Sequence, residues 1–451
     1  MKKLLGILLI AILSTHGLLR AHAEDQPVRN VILLVADGCG HRHVEAASLY
    51  RYGRPGGQPY AAFPVSVAMS TFMLGGSYDA ARAWTDFNYV NGGATDSAAA
   101  ATALSTGQKT YGGAIGVDND RKPLKHVLHE AHGLGKSVGV VTSVQLSHAT
   151  PAGFTAHDSS RGNYAAIAKQ MICESGAHVI MGCGHPLFDD NGKPAKPGFD
   201  MVGGEETWNN IVKGTAGADS PEGPWKLVQT REEFMALAKA KTPPARVLGV
   251  PQVHSTLQQR RAGNSKADAF AVEFTKGLPT LEEMALAALN VLGANKKGLF
   301  LMIEGGAIDW AGHSQQSGRM IEEQIAFDDA VAAAIKWVEQ NSNWKETLLI
   351  VTGDHETGYL TRPGAGADDK PWAYQPLANK GKGRMPGVQW HSGGHTNSLL
   401  PLYAKGAFAE TFKTLAKNKD PHFGPYVDNT DVARVIFAAL RGKADAPDAG
   451  K

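Results

Sequence analysis

Six short apolar runs, each closed by glycine or a polar residue, constrain the fold of this chain most: residues 31–35, 138–141, 179–181, 299–303, 348–351 and 399–403. Each run is of strand length, and each is continuous rather than alternating. A strand buried on one face alternates apolar with polar; a strand covered on both faces does not need to. Helical stretches lie between the runs. Residues 96–104 are rich in alanine, and 280–292 form a second stretch. A third, about 317–339, places Ile321, Ile325, Ala332 and Ile335 on one stripe. Asp328 intrudes on that stripe and is expected to be hydrogen-bonded or at its edge rather than a ligand. Strands alternating with helices of these lengths predict a three-layer α/β/α sandwich around a large, mostly parallel sheet. Glycine, at 52 residues, exceeds the usual ~7%, and many glycines sit beside the runs where strand-to-helix turns belong.

Residues 1–23 are expected to be removed rather than folded. Lys2-Lys3 is a basic start, residues 4–13 are apolar, and Ala21-His-Ala23 is a small-x-small cleavage site. The apolar part is shorter than the ~20 residues a membrane span needs. The chain therefore reads as exported, periplasmic or secreted, and soluble. Loss of Lys2, Lys3 and Arg20 takes the formal charge from +2 to −1. A near-neutral balance makes no case for nucleic-acid or membrane binding. Residues 24–451 read as one catalytic domain. Two stretches rich in Gly, Pro, Lys and Asp, 187–278 and 361–394, are expected as insertions or long functional loops. Cys173 and Cys183 could pair after export, leaving Cys39 free, but spacing alone does not decide geometry.

The chemistry clusters where the apolar runs end. Glu304-Gly-Gly-Ala-Ile-Asp309-Trp310-Ala-Gly-His313 follows one run, and Thr352-Gly-Asp354-His355-Glu-Thr follows another. Carboxylates and imidazoles at strand ends are where an open α/β sheet carries its site. Mixed oxygen and nitrogen donors suit zinc, and an oxygen-rich corner suits magnesium. Asp37-Gly38-Cys39-Gly40 closes the first run; alone it is also an ordinary turn. Asp96-Ser97 opens the alanine-rich helix, so Asp96 or Thr95 could simply cap it. In the functional reading, the Ser97 hydroxyl meets a phosphate at the helix N-terminus. Serine needs a base or a metal to attack, and no Gly-x-Ser-x-Gly elbow surrounds Ser97. Thr150-Pro151 makes a turn, and eleven residues later Arg161 offers a planar fork for two phosphate oxygens. His157 is expected to be structural. His395 could be a further nitrogen ligand, with His391 the competing choice.

In this order, these segments closely resemble the alkaline phosphatase family, from Asp37 to the Val427-Asp-Asn-Thr430 segment. The resemblance implies a metal-dependent hydrolase that converts phosphate monoesters to alcohol and inorganic phosphate through a phosphoserine. It implies two zinc ions and one magnesium, with cobalt an alternative at the third site. Ser97 would be the nucleophile and Arg161 the phosphate clamp, oriented by Asp96. Asp309, His313 and His395 would hold the first zinc. Asp37, Asp354 and His355 would hold the second, and Asp37, Thr150 and Glu304 the magnesium. A homodimer is implied as well. Two positions depart from the best-studied bacterial members: His148 stands in place of an aspartate and Trp310 in place of a lysine, both behind the ligands. A neutral imidazole attracts the third cation less, which leaves that ion's identity and the pH optimum open.

Two rivals are weighed against this reading. A phosphodiesterase or sulfatase on the same scaffold must accommodate other groups. Arg161 and Glu304 favour monoesters, and no Cys/Ser-x-Pro-x-Arg segment surrounds Ser97. A non-catalytic zinc- or phosphate-binding protein would explain the ligands but not the serine between Asp96 and a helix start.

Overall fold

A computed structural model of the chain describes residues 26–364 and 375–443; the expected export segment lies outside them. In chain order the first strands are β1 (Asn30–Ala36), β2 (Val65–Ser70), β3 (Ser137–Gln145), β4 (Val179–Cys183), β5 (Lys226–Val228), β6 (Val247–Gly249), β7 (Leu299–Gly305) and β8 (Thr347–Gly353). Short strands β9 (Glu356–Thr357), β10 (Leu360–Thr361), β11 (Gln389–Trp390) and β12 (His395–Thr396) come next. The last are β13 (Leu400–Gly406), β14 (Asn418–Asp420) and β15 (Gly424–Asp428). Eleven of these form one sheet in the order β14-β15-β2-β13-β8-β1-β7-β3-β4-β6-β5. β13 runs antiparallel to β2 and β8, and β14 to β15; the other pairings in the sheet are parallel.

The helices that frame the site are α1 (His41–Tyr52), α2 (Ser97–Thr106), α3 (Ala149–Thr155), α4 (Leu281–Gly293), α5 (Ala307–His313), α6 (Ser317–Asn341) and α7 (Thr430–Arg441). Side chains of α2, α3 and α7 pack on one face of the sheet, and those of α1, α4, α5 and α6 on the other. This is the expected three-layer α/β/α arrangement, and it explains why the apolar runs are continuous. Val31, Leu33 and Val35 of β1 enter one core, while Ile32, Leu34 and Ala36 enter the other. β7 divides likewise, with Phe300 and Met302 opposite Leu299, Leu301 and Ile303. Asp96 caps α2 by accepting from the Ala99 N–H, and Thr280 caps α4 in a reciprocal pair with Glu283.

Residues 187–278 supply β5 and β6, at one edge of the sheet, and two helices, Glu205–Val212 and Arg231–Ala238. The three cysteines are free. Cys173 is exposed, whereas Cys183 is buried with its thiol directed at the Ser143 carbonyl, 3.4 Å away. Asp328 is buried and accepts hydrogen bonds from Tyr60 and Gln324, each at 2.9 Å. No helix among the described residues is long and apolar enough to cross a membrane.

Strand register places the site. Val35 of β1 lies opposite Glu304 of β7 and Thr352 of β8, so the three carboxyl ends finish level at the middle of the sheet. Asp37 and Asp354 each follow directly, and Thr142 of β3 lies opposite Glu304 from the next strand.

Candidate metal centre

Three groups of metal-ligating side chains converge at these strand ends: Asp309 with His313 and His395, Asp37 with Asp354 and His355, and Asp37 with His148 and Glu304. Within each group the ligand atoms lie within 4.8 Å of one another. The chain brings them together by local devices. Asp309 and His313 are four apart on α5 and so share a face. Gly38 has φ +73°, and a Cβ there would lie 2.5 Å from the Asp309 Cα, so glycine permits Asp37 and Asp309 to approach. The Gly38 and His355 N–H groups donate to Asp354 Oδ1 at 3.1 and 2.8 Å, leaving Oδ2 without a hydrogen-bond partner.

The imidazoles are held in the tautomer a cation requires. His313 and His395 each turn Nδ1 to a backbone carbonyl, Gly393 at 2.7 Å and Thr95 at 2.8 Å. An Nδ1–H donated there leaves Nε2 as the free lone pair. Both Nε2 atoms face Asp309, at 3.3 and 3.5 Å. His391 instead pairs with Thr361 at 2.6 Å, so of the two candidates His395 is the one in the cluster.

Several buried polar atoms here accept or donate no hydrogen bond among the described residues: both oxygens of Asp37, Asp354 Oδ2, Glu304 Oε1, Thr150 Oγ1 and His148 Nδ1, with His355 Nε2 standing 3.4 Å from Asp37 Oδ1 and 3.3 Å from Asp354 Oδ2. Orphaned buried carboxylate oxygens are costly unless a cation satisfies them, so the residues fit metal ions well. The electrostatics agree. Burial, reinforced by Asp354, Asp309 and Glu304, pushes the Asp37 carboxyl well above the usual range. Burial raises Glu304 to about 7 and Asp354 to about 6. Asp309 is also buried, but His313 and His395 hold it low, and in return it lifts His313 to about 9. A bound cation would reverse the first of these shifts and displace the proton from the second pair.

Ser97 stands at the centre. It is the first residue of α2, is buried, and places Oγ 3.1 Å from His355 Nε2. Arg161 donates to Asp96 Oδ2 at 2.9 Å, and its other terminal nitrogen lies 3.3 Å from His148 Nε2. Burial opposes ionisation of Asp96, yet Arg161 and the N–H groups of Gly113 and Ala99 keep it below the usual carboxylate range. Burial beside Arg161 lowers His148 to about 3, so it is neutral in the working range. His148 and Trp310 meet edge to face with ring centres 5.6 Å apart. A cavity of about 710 Å³ opens onto Ser97, Arg161, His148, Asp309, His313 and His395.

Every residue singled out from the sequence for this site therefore lies in or against one cluster. His148 is closer than expected, since its nitrogen joins Asp37 and Glu304. His157 lies elsewhere, with His126 and His129, and its Nε2 faces the Leu124 carbonyl at 2.7 Å. Two supporting hydroxyls went unrecognised: Thr357, which donates to Asp309 Oδ1 at 2.5 Å, and Thr142, which donates to Glu304. Thr357 stands in the same Thr352–Thr357 segment as Asp354 and His355. Thr142 is visible only through the pairing of β3 with β7.

The chain is similar to known proteins over most of its length. The family model described as alkaline phosphatase matches residues 28–389. The chain is 30% identical to alkaline phosphatase of Escherichia coli (strain K12), over 94% of this chain and 88% of that one. It is 29% identical to alkaline phosphatase 4 of Bacillus subtilis (strain 168), over 94% and 91%. The solved alkaline phosphatase of the Antarctic bacterium TAB5 superposes with a TM-score of 0.63 at 25% identity, covering 92% of this chain and 98% of that one. A match of this extent, to a chain whose strand ends gather such ligands around a buried serine, means that it belongs to the alkaline phosphatase family.

Proposed function

We propose that this phosphatase works through a phosphoserine on Ser97, with two zinc ions and one magnesium in the three ligand groups. The observation that carries the reading is the Ser97 oxygen itself, buried at a helix N-terminus and 3.1 Å from His355 Nε2. The nitrogen-rich group, Asp309, His313 and His395, suits one zinc; Asp37, Asp354 and His355 suit the other. Asp37, Glu304 and Thr150 offer oxygens that suit magnesium, with His148 beside them. When bound, such ions supply positive charge to the transferring phosphoryl group and ease loss of the serine proton.

The side chains then divide the work. The Ser97 oxygen attacks phosphorus, the ester oxygen leaves as the alcohol, and water hydrolyses the phosphoserine in a second displacement. Two inversions give net retention at phosphorus. The Arg161 fork, oriented by Asp96, grips two phosphoryl oxygens, and the α2 N–H groups add partial positive charge. The same reading takes residues 1–23 as an export signal, so the site operates outside the cytoplasm, and takes the enzyme as a homodimer.

Release of phosphate from p-nitrophenyl phosphate, with metal content measured on the same sample, tests the proposal. Turnover should vanish on chelation and return with zinc and magnesium, and monoesters should be preferred to diesters. Turnover that survives complete stripping would overturn it.

Arg161→Lys should raise KM and weaken inhibition by inorganic phosphate, because a point charge replaces a fork. The loss should be about 1.5–3 kcal/mol, the worth of a charged hydrogen bond. An unchanged phosphate inhibition constant would remove Arg161 from the clamp.

His148→Asp should make the enzyme hold magnesium more tightly. A carboxylate adds negative charge and can accept hydrogen bonds from water around an octahedral ion, whereas a neutral imidazole supplies less of both. Zinc-reloaded wild type should be activated by added magnesium or cobalt, and the variant should retain magnesium through dialysis. Coincident magnesium titrations of the two proteins would show that position 148 does not control this site.

A further inference from the structure

Arg260 is the one guanidinium on the wall of the catalytic cavity with no carboxylate partner among the described residues. Three arginines line that cavity. Arg161 is paired with Asp96, and Arg261 is buried and paired with Glu322 at 2.9 Å. Arg260 is exposed, and its guanidinium lies over the Trp310 ring, 5.0 Å from the ring centre. An unpaired cation resting on an aromatic face at a cavity mouth keeps its N–H groups available to an anion. Asp190 lines the same cavity, and its Oδ1 accepts from the Ser255 N–H at 2.7 Å; no ion pair joins it to Arg260.

The backbone around Arg260 is fixed although its side chain is exposed. Its N–H donates to Thr256 Oγ1 at 2.9 Å, and the Leu257 N–H donates to the Ser143 carbonyl of β3, at 3.0 Å. On its other side, the buried Arg261 side chain donates to the carbonyls of Gln258, Val272 and Glu273. A ligand would therefore meet a cation in a set place rather than a wandering loop, at a reduced entropic cost. The distance from the chemistry is also set. Trp310 touches His148, and His148 touches Arg161, so three contacts separate the free guanidinium from the phosphate clamp.

We infer that Arg260 forms an outer anion subsite, selecting phosphate monoesters that carry a second anionic group a few bonds from the scissile phosphate. The inference rests on the phosphatase reading of the same cavity. Once the scissile phosphate is at Ser97 and Arg161, a second phosphate or carboxylate on the leaving group reaches Arg260 across the Trp310 face. Esters with neutral leaving groups make no such contact.

A series of α,ω-alkanediol bisphosphates, compared with p-nitrophenyl phosphate, tests this on the zinc- and magnesium-loaded enzyme. The wild type should favour one intermediate chain length. In Arg260→Ala, KM for that bisphosphate should rise about five- to tenfold more than KM for p-nitrophenyl phosphate, as expected for a partly solvated charged pair. Arg260→Lys should restore part of the difference, and added salt should erode the wild-type preference. Equal changes for both substrates, or none, would overturn the subsite while leaving the phosphatase reading intact. Loss of p-nitrophenyl phosphate hydrolysis by the loaded wild type would instead sink the underlying reading.

Discussion

Ser97→Ala is expected to abolish phosphoenzyme formation and to cut turnover by on the order of 10³-fold, while metal content stays at the wild-type level. The separation follows from geometry. Ser97 Oγ makes its one hydrogen bond to His355 Nε2, whereas none of the three candidate ligand groups includes Ser97. Position 97 also makes no other side-chain hydrogen bond among the described residues, and alanine is the best helix former. The α2 helix and its Asp96 cap should therefore persist. Some hydrolysis should remain, because the cations can still activate water directly. Rapid acid quench after mixing with labelled phosphate ester, followed by phosphopeptide mapping, reads out the covalent step. Full turnover in the variant would eliminate the phosphoserine mechanism, and labelled peptide from another residue would move the nucleophile.

The fold was legible where burial leaves a simple signature. β1, β3, β4, β7, β8 and β13 announce themselves as apolar runs because both faces of each are covered. β2 was missed: Val65-Ser-Val-Ala-Met-Ser opens with an exposed serine between buried valines and carries no continuous run. β5 and β6 are three residues each, too short for any period to register. The candidate ligand groups were legible because chemistry restricts which residues can stand at strand ends, and the segments there are compact. What the sequence could not reveal is what reaches the site from a distance. Arg260 joins the cavity through a loop pinned to β3, and no local pattern around it points there.

Asp37→Asn should have opposite effects on the metal-free and metal-loaded protein. Asp37 belongs to two of the three candidate ligand groups, is fully buried, and accepts no hydrogen bond at either oxygen, its nearest cationic group being the His355 imidazole at 3.4 Å. Without cations it faces Asp354, Asp309 and Glu304, and burial with these neighbours raises its carboxyl pKa well above the ordinary value. The sign follows from linkage. A carboxyl whose folded pKa is raised binds its proton more tightly in the folded state, so folding loses stability as pH rises above the unfolded value near 3.9. From pH 4 towards pH 8 the metal-free wild type therefore loses stability progressively, since its folded Asp37 holds a proton that the unfolded chain has already released. An amide at position 37 incurs none of this loss. In chelator at pH 8, Asp37→Asn should therefore melt above the wild type, with the gap closing near pH 4. Added zinc should reverse the order, since ions present at 1,000 times Kd stabilise the wild type by about 4 kcal/mol while the variant lacks a ligand shared by two sites. Turnover should fall by several orders of magnitude, because removing one ligand disturbs two cations at once. Thermal melts of both proteins at both pH values, with chelator and with zinc, give the four differences required. A variant that melts below the wild type in chelator at pH 8 would mean that Asp37 serves the fold directly, and that its unpartnered oxygens do not mark a place kept for metal.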